Sequence, residues 1–331
     1  PWAERVRFAR TGGECAGVGV RIARATTDRS LVAVCGYHGW QDWYLAANLG
    51  DNNALRGHLL PGLDPLGVPP ELRGSTLPFK YNDRQAFQSI LNQHGPQLAA
   101  VVMEPCRYND PEPGFLEFVR DGVHKAGGLL IFDEITIGWR LILGGSHRRF
   151  KVNPDMAIFA KTIANGYPMA AIIGTKEAME GAHKSFISSA FWTESIGPAA
   201  ALATIKKLQR IDAPKYVARM GQLVMNAWET AAGRHKVPLV VEDGYPCQAR
   251  CRFDHPQANE LKTLYIQLML ERGFLGGLLF VPTMAHNEAI IDRYALAIDE
   301  VIGLIGYAIE KDCVVAKLKG PAAHVGFRRL L

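Results

Sequence analysis

Two charged residues follow short apolar runs in this chain, and together they could do chemistry. Residues 129–132 are apolar and lead directly into Asp133, while the apolar run Met156–Phe159 is followed, after one alanine, by Lys161. Each run is typical of a buried parallel strand, and α/β sheets bind ligands at the carboxyl ends of such strands. We therefore expect an acid and an amine to meet at one edge of a sheet.

An acid and a lysine at that edge suit the chemistry of pyridoxal phosphate (PLP). The lysine forms a Schiff base with this cofactor, and the carboxylate pairs with the pyridinium nitrogen. In an extended strand Asp133 and Ile135 share one face, so that Ile135 would lie against the ring. Plainer explanations exist, because an acid after a strand often caps a helix and a lysine there is often only solvated.

A glycine-containing turn, Thr11-Gly12-Gly13, precedes a predicted helix over residues 14–25. Free backbone N–H groups at a helix N-terminus bind phosphate, and glycine allows close approach. Taken alone, the motif predicts either a phosphate site or a simple tight turn.

Several stretches, in order along the chain, resemble the class III aminotransferases of PLP fold type I, within the branch that holds glutamate-1-semialdehyde aminomutases. They are GYHGW at 36–40, VVMEP at 101–105, FDEITIGWR at 132–140, AKTIANGYPMAAIIG at 160–174 and FWTESIGPAAA at 191–201. The resemblance extends from about residue 5 to about residue 309. Because separate motifs match in register, it is more specific than a single short pattern.

The resemblance implies an α/β protein with the PLP-dependent transferase fold type I. Its mainly parallel, seven-stranded-type sheet lies between helices and is joined by a smaller C-terminal α+β domain. The implied activity is aminotransfer between a small amine or amino acid and a keto acid, through a Schiff base on Lys161. Glutamate-1-semialdehyde 2,1-aminomutase-type transfer within one molecule and a non-catalytic PLP-fold relative stay open as alternatives. A homodimer is also implied.

The resemblance also implies site residues. The expected catalytic residues are Lys161 and Asp133. The expected cofactor contacts are Thr11, Gly12, Gly13, Tyr37, His38, Glu104, Asp133, Ile135, Lys161 and Ser189. The first three match a turn, often Ser-Gly-Thr in the family, that holds the phosphate. Tyr37 resembles the aromatic that stacks on the ring opposite Ile135. His38 and Glu104 could instead orient neighbouring groups.

Some residues near these motifs have less certain roles. Glu134 should point away from Asp133 and is expected to be structural. Arg140 is a candidate for a substrate carboxylate, but a salt bridge is the preferred interpretation. The family commonly has a threonine where Ala190 stands, and that threonine reaches the phosphate of the partner's cofactor. Ser189 is the residue that could substitute for it.

Composition narrows the remaining classes of function. The net charge of +5 over 331 residues is small and scattered, which disfavours nucleic-acid binding. No apolar run reaches the roughly 18–20 residues of a membrane span, and no signal peptide is visible. Six cysteines favour the reducing cytoplasm over a disulfide framework. The spacing of Cys247, Cys251 and His255 lacks a fourth metal ligand, so no metal site is expected.

Strand and helix patterns alternate through the first two hundred residues and then stop alternating, which predicts two domains. We expect a large domain at 1–205 without the family's N-terminal arm, a small domain at 206–311 and a tail at 312–331. The predicted strands are 30–35, 98–104, 129–133, 156–159 and 170–174, with strand-like residues at 239–253. The predicted helices are 14–25, 83–92, 115–126, 197–210, 215–234, 259–272 and 287–310. Residues 50–78 are predicted to be irregular.

Overall fold

A computed structural model describes residues 2–50, 54–55 and 63–324 of the chain. The chain forms two compact units, the first reaching Arg210 and the second beginning at Ile211. The sequence placed this boundary near residue 205, inside what is a continuous helix.

The first unit alternates strands and helices. Its elements are β1 (Arg5–Ala9), α1 (Gly12–Thr27), β2 (Leu31–Cys35), α2 (Asp42–Leu45), β3 (Thr76–Pro78), α3 (Arg84–His94), β4 (Leu98–Met103), α4 (Phe115–Lys125), β5 (Leu129–Asp133), α5 (His147–Phe150), β6 (Met156–Phe159), β7 (Ala170–Gly174), α6 (Gly181–Lys184) and α7 (Ile196–Arg210). The second unit contains α8 (Ala213–His235), β8 (Leu239–Val241), β9 (Ala249–Phe253), α9 (Ala258–Glu271), β10 (Leu279–Phe280) and α10 (Glu288–Glu310).

Within the described residues, seven strands of the first unit form one sheet in the order β1-β7-β6-β5-β4-β2-β3. Strands β6, β5, β4, β2 and β3 are parallel to one another, whereas β7 is antiparallel to both β6 and β1. The expected mainly parallel sheet is therefore confirmed. Because β1 runs in the same direction as β6, six strands end at the same edge of the sheet.

Alternating side chains of the central strands fill two cores, one on each face of the sheet. Val102 of β4 and Ile131 of β5 pack in the core that contains Ile22 of α1. Their neighbours in the strands, Val101 and Leu130, pack with α3 and α4 on the other face. This arrangement explains why β4 is apolar at every position, since both of its faces are buried.

Helix ends follow ordinary capping rules. The predicted helix 83–92 begins at Arg84 because Asp83 is its N-cap and accepts from the backbone N–H of Ala86 at 2.8 Å. Helix α10 likewise follows Asn287, which accepts from the N–H of Ile290 at 3.0 Å.

Short strands account for the differences from the predicted elements. β1 lies at an edge of the sheet and carries arginines, so no apolar run marks it. β3 lies at the end of the segment 50–78 that was predicted to be irregular. Residues 51–53 and 56–62 of that segment lie outside the described residues. The strand-like stretch 239–253 is two strands separated by a 3-10 turn at Pro246–Gln248.

The second unit packs helices α8, α9 and α10 with a small antiparallel sheet in the order β10-β9-β8. The indole N–H of Trp228 donates to the hydroxyl of Tyr265 at 3.1 Å, and both side chains are fully buried. Val314 also packs in this core, although the sequence assigned it to a tail. No helix in the described part of the chain is long and apolar enough to cross a membrane.

Candidate active site

The predicted site residues follow the carboxyl ends of five strands at one edge of the large sheet. Thr11 follows β1, His38 follows β2, Glu104 follows β4, Asp133 ends β5 and Lys161 follows β6. These strands run in one direction, and β5 and β6 are adjacent. The sheet therefore brings together residues that are up to 150 positions apart in the sequence.

Lys161 follows β6 directly and is exposed to solvent. Its Nζ donates to Oγ1 of Thr136 at 3.0 Å, and its backbone has the uncommon φ of +49°. Partial loss of hydration lowers the pKa of the Lys161 amine, and the positive charges of Arg107 and Arg140 lower it further, against the opposing effect of Asp133. A larger fraction of this amine is thus neutral, and able to attack a carbonyl, than in an ordinary lysine.

Asp133 is buried, and neighbouring groups hold its carboxylate in position. Oδ2 lies 2.8 Å from Nδ1 of His38, and Oδ1 accepts from the N–H of Ile135 at 3.0 Å. The other nitrogen of His38, Nε2, lies 3.2 Å from the carbonyl oxygen of Cys35. The ring of His38 therefore bridges the carboxylate of Asp133 and the backbone at the end of β2.

Ile135 is close to the site, but strand alternation does not place it there. Strand β5 ends at Asp133, and the carboxylate of Asp133 binds the N–H of Ile135 across a turn. Ile135 instead packs on the start of α1, where a methyl group on Gly12 would lie 2.8 Å from its Cδ1. The chain turns at Asp133, so a turn and not strand alternation sets the position of Ile135, which still packs in the core that contains Ile131. Gly12 is needed to make room for Ile135.

Glu134 contacts the loop that follows β5 and not the groups around Asp133, which agrees with the structural role expected for it. It is buried and accepts from N–H and Oγ of Ser146 at 2.9 and 2.8 Å, and from N–H and Nδ1 of His147 at 3.0 and 2.9 Å. The indole of Trp2 donates to the remaining nitrogen of His147 at 3.1 Å. This network fixes the loop that follows β5.

Glu104 lies beside the predicted aromatic residue. It accepts from the N–H of Tyr37 at 3.3 Å and forms an ion pair with Arg107. Burial raises the pKa of Glu104, and the charge of Arg107 only partly offsets this effect. The ring of Tyr37 packs edge-on against Tyr44 with centroids 6.1 Å apart.

The start of α1 offers unused hydrogen-bond donors. Thr11 is the N-cap: its hydroxyl accepts from the N–H of Glu14 at 3.2 Å, and the Glu14 carboxylate accepts from the N–H of Arg10 at 2.8 Å. The N–H groups of Gly12 and Gly13 bind no described residue. These two donors, at the positive end of the helix dipole, can hold a phosphate.

Ser189 lines a pocket with Arg10 and Glu194, which form an ion pair at 2.8 Å. Its role toward a partner subunit stays a prediction. Cys247 and Cys251 are buried thiols, and in the described ranges no group of three or more His, Cys, Asp or Glu residues could hold a metal ion.

Sequence reasoning missed two residues next to Lys161. Thr136 accepts from the amine, and Arg107 acts on its charge while pairing with Glu104. Thr136 lies within one of the motifs quoted above and Arg107 lies just after another. The only sign of them in the sequence was that each is a polar residue near the end of a strand. Their partners are distant in sequence, which is why the motifs alone did not reveal the contacts.

Comparisons with known proteins agree with this geometry. The family "Aminotransferase class-III" matches residues 1–274. The chain is 33% identical over 286 residues to the 3-aminobutyryl-CoA aminotransferase of Cloacimonas acidaminovorans, covering 83% of this chain and 65% of that protein. It is 33% identical over 251 residues to the glutamate-1-semialdehyde 2,1-aminomutase of Thermoplasma acidophilum, covering 73% of this chain and 58% of that protein. The chain thus spans less than two thirds of the length of these two relatives.

Solved structures show the same fold. The FumI protein of Sphingopyxis sp. MTA144, in its PLP internal aldimine form, superposes with a TM-score of 0.82 at 21% identity, covering 93% of this chain and 72% of that one. An omega-transaminase from Sphaerobacter thermophilus gives a TM-score of 0.77 at 23% identity, covering 91% and 74%.

The residues of this chain fit PLP. This edge of the sheet offers an amine of lowered pKa, a buried carboxylate on the neighbouring strand and two N–H groups at a helix start that bind no described residue. PLP is the cofactor that the family and its solved neighbours support. Motifs, sheet, site and family match agree, and the chain belongs to the class III aminotransferases.

Proposed function

We propose that this protein is a PLP-dependent aminotransferase acting on a small amine or amino acid. The observation that carries the proposal is the placement of Lys161 and Asp133 at the ends of adjacent parallel strands, with the pKa of the lysine lowered. When bound, PLP supplies an electron sink that lets a proton leave the carbon bearing the amine.

Each residue then has a definite task. The Nζ of Lys161 would hold the cofactor, and the same amine would move the proton at the substrate carbon. The carboxylate of Asp133 would hold a proton at the ring nitrogen, and His38 holds that carboxylate in place. Tyr37 and Ile135 would contact the two ring faces, and the start of α1 would bind the phosphate.

The position of the cofactor lysine can be tested chemically. Borohydride reduction of the PLP-loaded protein, followed by peptide mapping, should place the adduct on Lys161. The exposed Lys176 and Lys184 serve as internal controls. An adduct on either of these, or no adduct at all, would contradict the assignment and favour a non-catalytic relative.

Aminomutase activity is the second candidate, because one relative is a glutamate-1-semialdehyde 2,1-aminomutase. The two activities differ in their need for an acceptor. With one substrate and no keto acid, an aminotransferase stops after one turnover per site, whereas an aminomutase continues. Product counting per site under these conditions separates them.

We also propose a homodimer located in the cytoplasm. The segment 188–192 is expected to approach the cofactor of the other subunit, with Ser189 near its phosphate. Large exposed apolar residues flank this segment in sequence, with Phe186 88% and Ile196 61% exposed, which supports a covering partner. The six cysteines are all free thiols, which supports a reducing compartment.

A further inference from the structure

Gln41 occupies a slot beside the start of α1 that two glycines leave open. A methyl group on Gly13 would lie 2.2 Å from Nε2 of Gln41, and one on Gly39 would lie 2.4 Å from its Oε1. Both distances are far inside van der Waals contact. The amide of Gln41 can therefore lie here only because positions 13 and 39 carry no side chain.

The orientation of this amide follows from its one hydrogen bond. Oε1 of Gln41 accepts from the N–H of Trp40 at 3.2 Å. This bond places the carbonyl oxygen on the side of Trp40 and the NH2 group on the other side. Nε2 donates to no described residue, so both of its hydrogens are unused.

The unused donors of Gln41 and of α1 lie close together. Cα–Cβ bonds in a helix tilt toward its N-terminus, so an amide at the Cβ position of Gly13 lies on the N-terminal side of that residue. The free N–H groups of Gly12 and Gly13 point to the same side. Such a set of donors matches an anion with several oxygens.

We propose that Gln41 is a phosphate-binding residue of the cofactor site, donating from Nε2 to a phosphate oxygen of PLP at the start of α1. The inference rests on the proposed function. Gly13 has no side-chain donor of its own, and the hydroxyl of Thr11 is used as the helix cap. Gln41 reaches in from the segment between β2 and α2 and provides the missing side-chain donor.

Substitution by methionine separates hydrogen bonding from packing. Gln41→Met keeps the length of the side chain but removes both donors. We expect PLP to bind the apoprotein about tenfold more weakly, since a hydrogen bond to a charged group is lost. Pyridoxal, which lacks the phosphate, should bind as it does to the parent. Dissociation constants come from absorbance titration of the apoprotein, and Gln88→Met on the exposed face of α3 is the matched control.

A double substitution tests the slot directly. The side chain of Gly13→Ser would displace the Gln41 amide and supply a hydroxyl in its place, so PLP affinity should stay within a few-fold of the parent. The double variant, Gly13→Ser with Gln41→Met, should then bind PLP as tightly as Gly13→Ser alone. Thermal melting of each apoprotein checks that the variants are folded, and Gln41→Glu, which keeps the shape but repels phosphate, should bind PLP more weakly than Gln41→Met.

Two results would overturn the inference. One is a Gln41→Met protein that binds PLP as tightly as the parent. The other is an equal loss of affinity for PLP and pyridoxal, which would show that Gln41 only fills the slot. A parent protein that binds neither compound would instead refute the proposed function, so the two failures are distinguishable.

Discussion

Asp133 matters through its charge and its fixed position. Its carboxylate is buried, contacts His38 and binds the N–H of Ile135, so the ring nitrogen of PLP would meet an acceptor that cannot move away. Such fixed electrostatic groups often contribute more to catalysis than any other single effect.

Asp133→Asn should keep the fold, because an amide has the same shape and can still bind His38. The ring nitrogen would lose the negative charge that keeps it protonated. We expect the half-reaction with an amine to slow about 100-fold or more, as followed by the absorbance of the cofactor. Asp121→Asn, which changes an exposed acid on α4, is the control. Normal turnover in the Asp133→Asn protein would refute the electron-sink role.

Arg107, which follows β4, contributes to the lowered pKa of Lys161, which follows β6. Loss of hydration is the main reason for the lowered pKa of Lys161, and the charge of Arg107 is the next. Arg107→Gln removes a positive charge, so the pKa of Lys161 should rise and less amine should be neutral at a given pH. The pH profile for condensation of the apoprotein with pyridoxal should then shift to higher pH.

The control for that shift is Arg120→Gln, because Arg120 pairs only with its exposed neighbour Asp121 on α4 among the described residues. Its pH profile should match the parent. A profile that stays in place for Arg107→Gln would mean that burial alone sets the pKa of Lys161.

Some of these residues could be predicted from the sequence and others could not. Asp133 and Lys161 follow apolar runs, and a charged residue at a strand end is visible without a structure. Gln41 and Arg107 work through contacts with Gly13 and Lys161, which only the fold creates. Strand alternation alone does not account for the position of Ile135, since β5 ends at Asp133 and a turn follows.

At the level of elements, helix α1 connects the sheet to the phosphate site. Its buried side chains pack against β4, β5 and β6, and its first turn carries the free N–H groups. It contains two glycines, Gly17 and Gly19, which lower its helix propensity. The helix is nevertheless continuous from Gly12 to Thr27, because packing on the sheet outweighs the low helix propensity of glycine.

Two alanine substitutions, one in α1 and one in α6 where it packs against α1, should change the free energy of unfolding in opposite directions. A methyl group on Gly17 would meet only Trp43 at 3.7 Å, an ordinary contact. Gly17→Ala should therefore raise the free energy of unfolding by about 0.5–1 kcal/mol through helix propensity. Gly181 packs against α1, and a methyl group there would lie 2.4 Å from the carbonyl oxygen of Ile22. Gly181→Ala should lower the free energy of unfolding by about 1–3 kcal/mol.

Denaturant unfolding of both apoproteins measures these changes. If both substitutions change the free energy of unfolding in the same direction, the packing of α1 does not determine the sign of the change.

Among the elements, the sequence predicted most long helices to within two or three residues, since their amphipathic pattern and caps are local. Short edge strands such as β1 and β3 escaped because their pairing is set by neighbours distant in the chain.

At the level of the whole molecule, the first unit carries all the predicted site residues. Their positions at one edge of its sheet follow from the shared direction of β1, β2, β4, β5 and β6. The second unit has its own core around Trp228 and Tyr265. The division at Arg210 thus separates the unit that carries the predicted site residues from a unit that carries none of them.

A homodimer should form through the exposed apolar residues of the first unit. Trp40 is 72% exposed next to the Gln41 slot, and Phe186 is 88% exposed just before the segment 188–192. A charge at such a position would disrupt a buried interface. Phe186→Asp should therefore shift the protein from dimer to monomer in sedimentation at micromolar concentration, while Leu296→Asp, on the exposed face of α10, should not. If Ser189 reaches the partner's cofactor, the Phe186→Asp monomer should also retain PLP less tightly than the dimer. A parent monomer that binds PLP and turns over an amine would remove the role proposed for Ser189.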